Sequence, residues 1–201
     1  MDLWEIERKL TSEGYKTICG VDEAGRGPLA GPVFAAAVIL PFKVNIPGLD
    51  DSKKLTEVKR EKLYEEIINI ALSYSISLAD VSEIDDLNIL NATFIAMNRA
   101  IESLAILPDM ALIDGNQNRG IKTPSRFVIG GDGKSASIAA ASILAKVSRD
   151  RYMGDMSKKY PQYALEKHKG YGTKLHYERL RTFGPSDIHR KTFLKGYTGS
   201  E

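Results

Sequence analysis

The order of apolar and amphipathic segments predicts an α/β fold: a mixed five-stranded sheet flanked by helices, with a small helical C-terminal region. Three observations carry this. Short apolar runs joined by turns open the chain, later runs alternate with long stretches of helical period, and no repeat or flexible linker divides the 201 residues.

Residues 17–22 read as a short buried strand. Residues 31–40 (GPVFAAAVIL) read as a second, reached through a Gly/Pro-rich turn, so the two form a hairpin. Residues 56–71 space Leu63, Ile67 and Ile70 at helical intervals, with Thr56 placed to cap the helix. Residues 72–80 alternate polar and apolar side chains, as a half-buried strand does. A second helical stripe, over residues 86–107, runs through Ile89, Thr93, Met97, Ile101 and Leu104. Residues 110–114 (MALID) form a brief apolar strand ending in a carboxylate, and residues 127–129 a fifth strand. In the third long helix, residues 134–156, Ala136, Ala139, Ala140, Ala141 and Ala145 are small enough to lie close against the sheet.

At 43% hydrophobic and 27% charged, the chain supports one substantial core, and the expected organisation is one domain over residues 1–201. No apolar run reaches the ~20 residues that span a bilayer, and the first ten residues lack the apolar core of a secretory signal, so the expected location is cytoplasmic. The lone Cys19 sits among apolar neighbours and reads as a buried, inert thiol. Charge is uneven despite a net of only +2: residues 146–195 hold 13 Lys/Arg against 5 Asp/Glu, and the remainder has an acidic excess. Such asymmetry fits a basic face, over about residues 157–195, turned toward a polyanion, although solvated helix faces give the same composition.

Acids stand at the ends of the expected strands: Asp22 and Glu23 after the first, Asp114 after the fourth, Asp132 just past the fifth. In a sheet with helical crossovers, strand ends on one edge gather into one crevice. Converging carboxylates repel unless a multivalent cation neutralises them, and hard oxygen ligands favour Mg²⁺ or Mn²⁺. Any one of these acids is also what a strand terminus or turn cap looks like; the four together point to metal. Asp22 and Glu23 are adjacent, so both reach one cluster only if the backbone leaves extended geometry there. Gly25, Arg26 and Gly27 follow, a segment suited to gripping phosphate and also a plain glycine turn. The run Gly131-Asp132-Gly133-Lys134-Ser135 imitates the end of a phosphate-binding loop, but Val128 stands where the required glycine would be. His168, His176 and His189 match no zinc spacing and read as solvated or phosphate-facing.

The run Gly20-Val21-Asp22-Glu23-Ala24-Gly25-Arg26-Gly27-Pro28-Leu29-Ala30-Gly31-Pro32-Val33 closely resembles the signature of the ribonuclease HII family. So do Asp51-Ser52-Lys53-Lys54-Leu55, Ile113-Asp114-Gly115-Asn116, residues 138–150 (IAAASILAKVSRD) and His168-Lys169-Gly170-Tyr171-Gly172-Thr173-Lys174, in family order. The resemblance implies a ribonuclease H-like fold and an endonuclease that cuts the RNA strand of RNA/DNA hybrids and nicks duplex DNA beside embedded ribonucleotides. Products would carry 3′-hydroxyl and 5′-phosphate ends. It implies Asp22, Glu23, Asp114 and Asp132 as catalytic metal ligands, and Gly25, Arg26 and Gly27 as the loop holding the ribonucleotide's 2′-hydroxyl and neighbouring phosphate. Tyr171 would pack on the sugar at the ribonucleotide–deoxyribonucleotide junction. Gly130 departs from the family, which often has lysine there. The tail after Phe193 lacks an apolar sliding-clamp peptide, and a bacterial-type enzyme without an obligatory protein subunit is expected.

Two cations about 4 Å apart can activate water and relieve charge on the leaving oxygen of a phosphodiester. The 2′-hydroxyl both donates and accepts hydrogen bonds, so backbone groups of the glycine loop with Tyr171 suit its recognition. Lys53, Lys54 and basic residues between Lys146 and Lys191 would hold phosphates without reading sequence. A non-catalytic hybrid-binding protein is the alternative from another class, but a pure binder gains nothing from acids that repel phosphate. A DNA-only nuclease or junction resolvase could use the same acids, yet needs no sensor of a 2′-hydroxyl.

Overall fold

The computed structural model describes residues 2–50, 52 and 55–195. The small-residue run forms β2 (Val33–Ile39), buried at every position because both its faces are covered. It pairs antiparallel with β1 (Ile18–Ala24) on one side and β3 (Ser73–Ala79) on the other. Strands β4 (Met110–Asp114) and β5 (Ser125–Val128) add in parallel beyond β1, giving the order β3-β2-β1-β4-β5. The expected mixed five-stranded sheet is therefore present.

Period two assigns the faces. Cys19, Val21, Ala35, Ala37, Ala111 and Ile113 pack toward α4 (Ile89–Glu102), whose Thr93, Met97 and Ile101 are buried as the helical stripe requires. Ala36 and Val38 point the other way, onto α2 (Glu57–Ile70) and α5 (Ala136–Lys159). Thr56 caps α2 by accepting from the Lys59 amide, and Ser135 caps α5 by accepting from the Ile138 amide. The alanines of α5 let it lie against β1 so closely that a Cβ on Gly20 would come within 2.1 Å of the Ser137 carbonyl carbon. The helix α1 (Glu5–Ser12) docks on the start of α5, where buried Glu7 accepts from the hydroxyls of Ser135 (2.6 Å) and Ser137 (2.8 Å). Cys19 is buried, and desolvation pushes its thiol up to about 12, as an inert thiol requires.

Two expectations about elements need correction. The helix expected over residues 86–107 is α4 alone, ending at Glu102, and a separate helix α3 (Val81–Leu87), capped by Asp80, precedes it, with Asn88 between them at φ 68°. The Asn88 side chain accepts from the amides of Leu90 and Asn91, so it starts the second helix where the apolar period alone saw continuity. The first strand also runs on past Asp22 through Glu23 and Ala24, paired with Ala36, Ala35 and Phe34. The C-terminal region holds α6 (Leu165–His168) and α7 (Lys174–Phe183). Among the described residues no helix is long and apolar enough to cross a membrane.

Candidate active site

Asp22 and Asp114 lie on neighbouring parallel strands, each one residue beyond the Val21–Ile113 pair and on the face that α5 covers. Asp132 sits in the 3₁₀ turn Gly131–Gly133 after β5, and the turn is tied to β4 because the Gly131 amide donates to Asp114 Oδ1 at 2.7 Å. Asp22, Asp114 and Asp132 each place a carboxylate oxygen within 4.8 Å of the others. Asp22 and Asp132 are buried. Burial first, then the charges of Glu23 and Asp114, push the Asp22 carboxyl well above its usual value, while the Ser142 hydroxyl and the Glu23 amide oppose the shift. A set of oxygen donors, two of them buried and all repelling one another, fits a hard divalent cation, which would relieve the repulsion.

Glu23 is outside this set of three. β1 stays paired through Glu23, whose carboxylate lies outside the 4.8 Å set although it lines the same cavity and its charge acts on Asp22. Its carboxylate meets Arg26 Nη1 at 3.4 Å on the rim of the same cavity. That cavity, about 230 Å³, is lined by Asp22, Glu23, Asp114, the Gly25–Gly27 segment and Tyr171. A larger one, about 450 Å³, lies between α2 and Pro47–Gly48 but gathers no group of acids, so chemistry rather than size locates the site.

Two buried arginines brace the glycine loop from behind. Arg190 donates from Nε to the Gly31 carbonyl (2.9 Å), from Nη1 to Arg26 (2.8 Å) and from Nη2 to Gly25 (2.6 Å). Arg149 donates to the carbonyls of Pro32 (3.2 Å), Lys169 (3.1 Å) and Ala30 (3.1 Å). One guanidinium thus holds the glycine loop and the other ties its continuation to the loop carrying Tyr171. The Tyr171 ring is 43% exposed, with the Arg149 guanidinium 5.9 Å from its centroid.

The matching of residues 19–195 by a family model described as ribonuclease HII decides the assignment. The chain belongs to the ribonuclease HII family. A ribonuclease HII of Caldicellulosiruptor bescii is 60% identical over 192 residues, covering 96% of this chain and 93% of the relative. One from Janthinobacterium is 58% identical over 176 residues, 88% of this chain and 84% of the relative. Among solved structures, the ribonuclease H2 of Pyrococcus horikoshii OT3 superposes with a TM-score of 0.73 at 30% identity, over 88% of this chain and 93% of that one. Membership in the ribonuclease HII family makes this chain an endoribonuclease of ribonuclease H type, and the expected ribonuclease H-like fold is the one observed.

Other expected residues are either buried away from solvent or outside the described residues. Lys53 and Lys54 fall outside the described residues, as does the tail from residue 196. Arg149 and Arg190, counted among the phosphate-facing cations, are buried and bound to backbone carbonyls. The three histidines are buried too, not solvated. Sequence reasoning missed Ser142 and Ser52, whose hydroxyls bond at 2.8 Å beside Asp22. The signal for Ser142 was a hydroxyl on an otherwise Ala/Ile-rich helix face.

Proposed function

We propose that this chain is a Mg²⁺- or Mn²⁺-dependent endonuclease that hydrolyses the RNA strand of RNA/DNA hybrids and nicks duplex DNA beside embedded ribonucleotides. The products carry 3′-hydroxyl and 5′-phosphate ends. The observation that carries this reading is one cavity shared by Asp22, Asp114, the glycine loop and Tyr171, with Asp132 converging on the two aspartates. In the reading, Asp22, Asp114 and Asp132 hold the cation, and Glu23 joins them by exchanging its contact with Arg26. When bound, the cations supply an activated water and charge relief at the leaving oxygen. The chain's own residues position the substrate. With its carbonyls turned inward onto Arg190, the Gly25–Gly27 segment can present N–H groups to the 2′-hydroxyl and the adjacent phosphate. Arg26 has a half-exposed side chain that can pair with phosphate, and Lys53 and Lys54 complete the grip. Duplexes containing ribonucleotides in the cytoplasm are the partners, with no obligatory protein subunit.

Tyr171 tests the discriminating half of this reading. If its ring packs on sugar and its hydroxyl helps locate the 2′-hydroxyl, Tyr171→Phe loses one hydrogen bond, a fall of about 2- to 12-fold in single-turnover cleavage of a duplex with one ribonucleotide. Tyr171→Ala loses the stacking as well and falls further, with metal binding unchanged. Wild-type rates for Tyr171→Ala would remove it from recognition.

The exposed Lys167 and Lys174 test the basic region, since the Lys174 ammonium stands 4.0 Å from Glu178 and is 92% exposed. Replacing both by Gln weakens duplex binding and lowers the slope of log K against log[salt] by about 0.9 per lysine, without changing which linkage is cut. An unchanged slope, read from binding titrations at several salt concentrations, would show that these lysines do not meet phosphate.

A further inference from the structure

Behind the Tyr171 loop, outside the carboxylate cavity, three buried histidine rings pack together. His168 ends α6, His176 lies in the first turn of α7, and His189 lies in the segment that bridges to Ala30. The His168 and His176 rings stack with centroids 4.3 Å apart, and His176 Nε2 lies 3.1 Å from His189 Nε2.

Their partners fix where each proton sits, because an amide can only donate and a carbonyl can only accept. The Ser186 amide donates to His189 Nδ1 at 3.0 Å, so the His189 proton is on Nε2. The Tyr171 carbonyl lies 2.9 Å from His176 Nδ1, so that nitrogen carries the His176 proton, and Nε2 accepts from His189. The Gly170 amide donates to His168 Nδ1 at 3.2 Å, which leaves Nε2–H for the Tyr163 carbonyl at 3.0 Å. A further proton on any ring would oppose a donor with a donor. Burial holds all three below the usual histidine value, His176 and His189 down to about 4.

We propose that His189 and His176 form a proton-ordered relay ending on the main-chain carbonyl of Tyr171, which makes both of them positioning residues for the Tyr171 ring. The proposal rests on the reading of Tyr171 as the group that meets the ribonucleotide's sugar. The far end of the relay is anchored beside the glycine loop, since His189 bridges to Ala30 and the Arg190 amide donates to the Leu29 carbonyl at 2.9 Å. At the near end the Tyr171 amide donates to the His168 carbonyl at 2.9 Å and its carbonyl accepts from the Thr173 amide at 2.8 Å; His176 adds the side-chain bond to that carbonyl, holding the peptide between Gly170 at φ 86° and Gly172 against turning. The relay therefore acts with Arg149 and the bond from the Leu29 amide to the Gly170 carbonyl (2.8 Å) in holding the two loops proposed to read the 2′-hydroxyl.

Two measurements test it. Imidazole nitrogen NMR of the ¹⁵N-labelled wild-type protein at neutral pH should show His176 as the Nδ1–H tautomer and His168 and His189 as Nε2–H tautomers. A His176 found as Nε2–H, or charged, overturns the relay. The second is a double-mutant cycle read by single-turnover cleavage. His176→Leu, which has no donor, slows the enzyme about 3- to 10-fold, and His176→Asn, which keeps a donor near the Nδ1 position, stays within about 3-fold of wild type. In a Tyr171→Ala background, His176→Leu costs less than about 2-fold, because the group it positions is already gone. Equal losses in both backgrounds would mark His176 as merely structural and overturn the relay alone. A Tyr171→Ala rate equal to wild type would overturn the reading of Tyr171, and the relay with it.

Discussion

Replacing Asp114 by Asn is expected to lower cleavage by about 10³-fold while the protein stays folded. Asp114 ends β4, is one of the three converging aspartates and also accepts the Gly131 amide through Oδ1. Asn keeps an acceptor for that amide, so the turn carrying Asp132 stays in place, but it removes one of the negative charges proposed to hold the cation. The metal-free protein should gain stability. Asp22 has a folded-state carboxyl value raised above its unfolded one, first by burial and then by the charges of Glu23 and Asp114. Such a group contributes stability that is fully present below the unfolded value and is lost as pH rises through the folded value. At neutral pH the metal-free wild type therefore bears the cost, and Asp114→Asn recovers part of it, read as a higher melting temperature than that of the metal-free wild type. The difference should shrink as pH falls and Asp22 takes up a proton. Thermal melts of both proteins with and without Mg²⁺, alongside cleavage rates, check both halves. Wild-type cleavage by the variant would exclude Asp114 from the mechanism.

Gly20→Ala is expected to destabilise the fold by about 3 kcal/mol or more, near the top of the range for an added methyl group that meets rigid neighbours. The new Cβ would lie 2.1 Å from the Ser137 carbonyl carbon and 2.2 Å from the Ile138 nitrogen, both backbone atoms of α5 that no rotamer change can move. Relief requires α5 to lift off β1. That displacement carries Ser142 away from Asp22, so the molecules that remain folded should also cleave more slowly. A thermal melt within a degree or two of wild type would show that β1 and α5 do not meet at Gly20.

The sheet was legible because its signals are local. Residues 110–114 read as a strand and form one, and the continuous apolar run 33–39 is what burial on both faces demands. The break at Asn88 was not, since apolar spacing continues through it while a single capping side chain and a positive φ divide the helix. At the site, strand-end acids marked Asp22, Asp114 and Asp132, whereas how close the Glu23 carboxylate comes to those three depends on the pairing of β1 through Ala24 and on Arg26, which apolar patterning does not report. Arg149, Arg190 and the histidines were misread for one shared reason. Residues that are polar and basic in composition are taken as exposed, and only tertiary packing supplies the carbonyls and ring nitrogens that let them be buried.

Cleavage of three labelled duplexes, each with Mg²⁺, Mn²⁺ or chelator, tests the proposed activity most directly: DNA with one embedded ribonucleotide, an RNA/DNA hybrid and an all-DNA duplex. Cutting is expected in the first two, with either metal, at the linkage beside a ribonucleotide, leaving a 3′-hydroxyl end that a polymerase extends. The all-DNA duplex should stay intact, and chelator should stop every reaction. Cutting of the all-DNA duplex at a comparable rate, or cutting that persists in chelator, would contradict a metal-dependent enzyme that reads the 2′-hydroxyl.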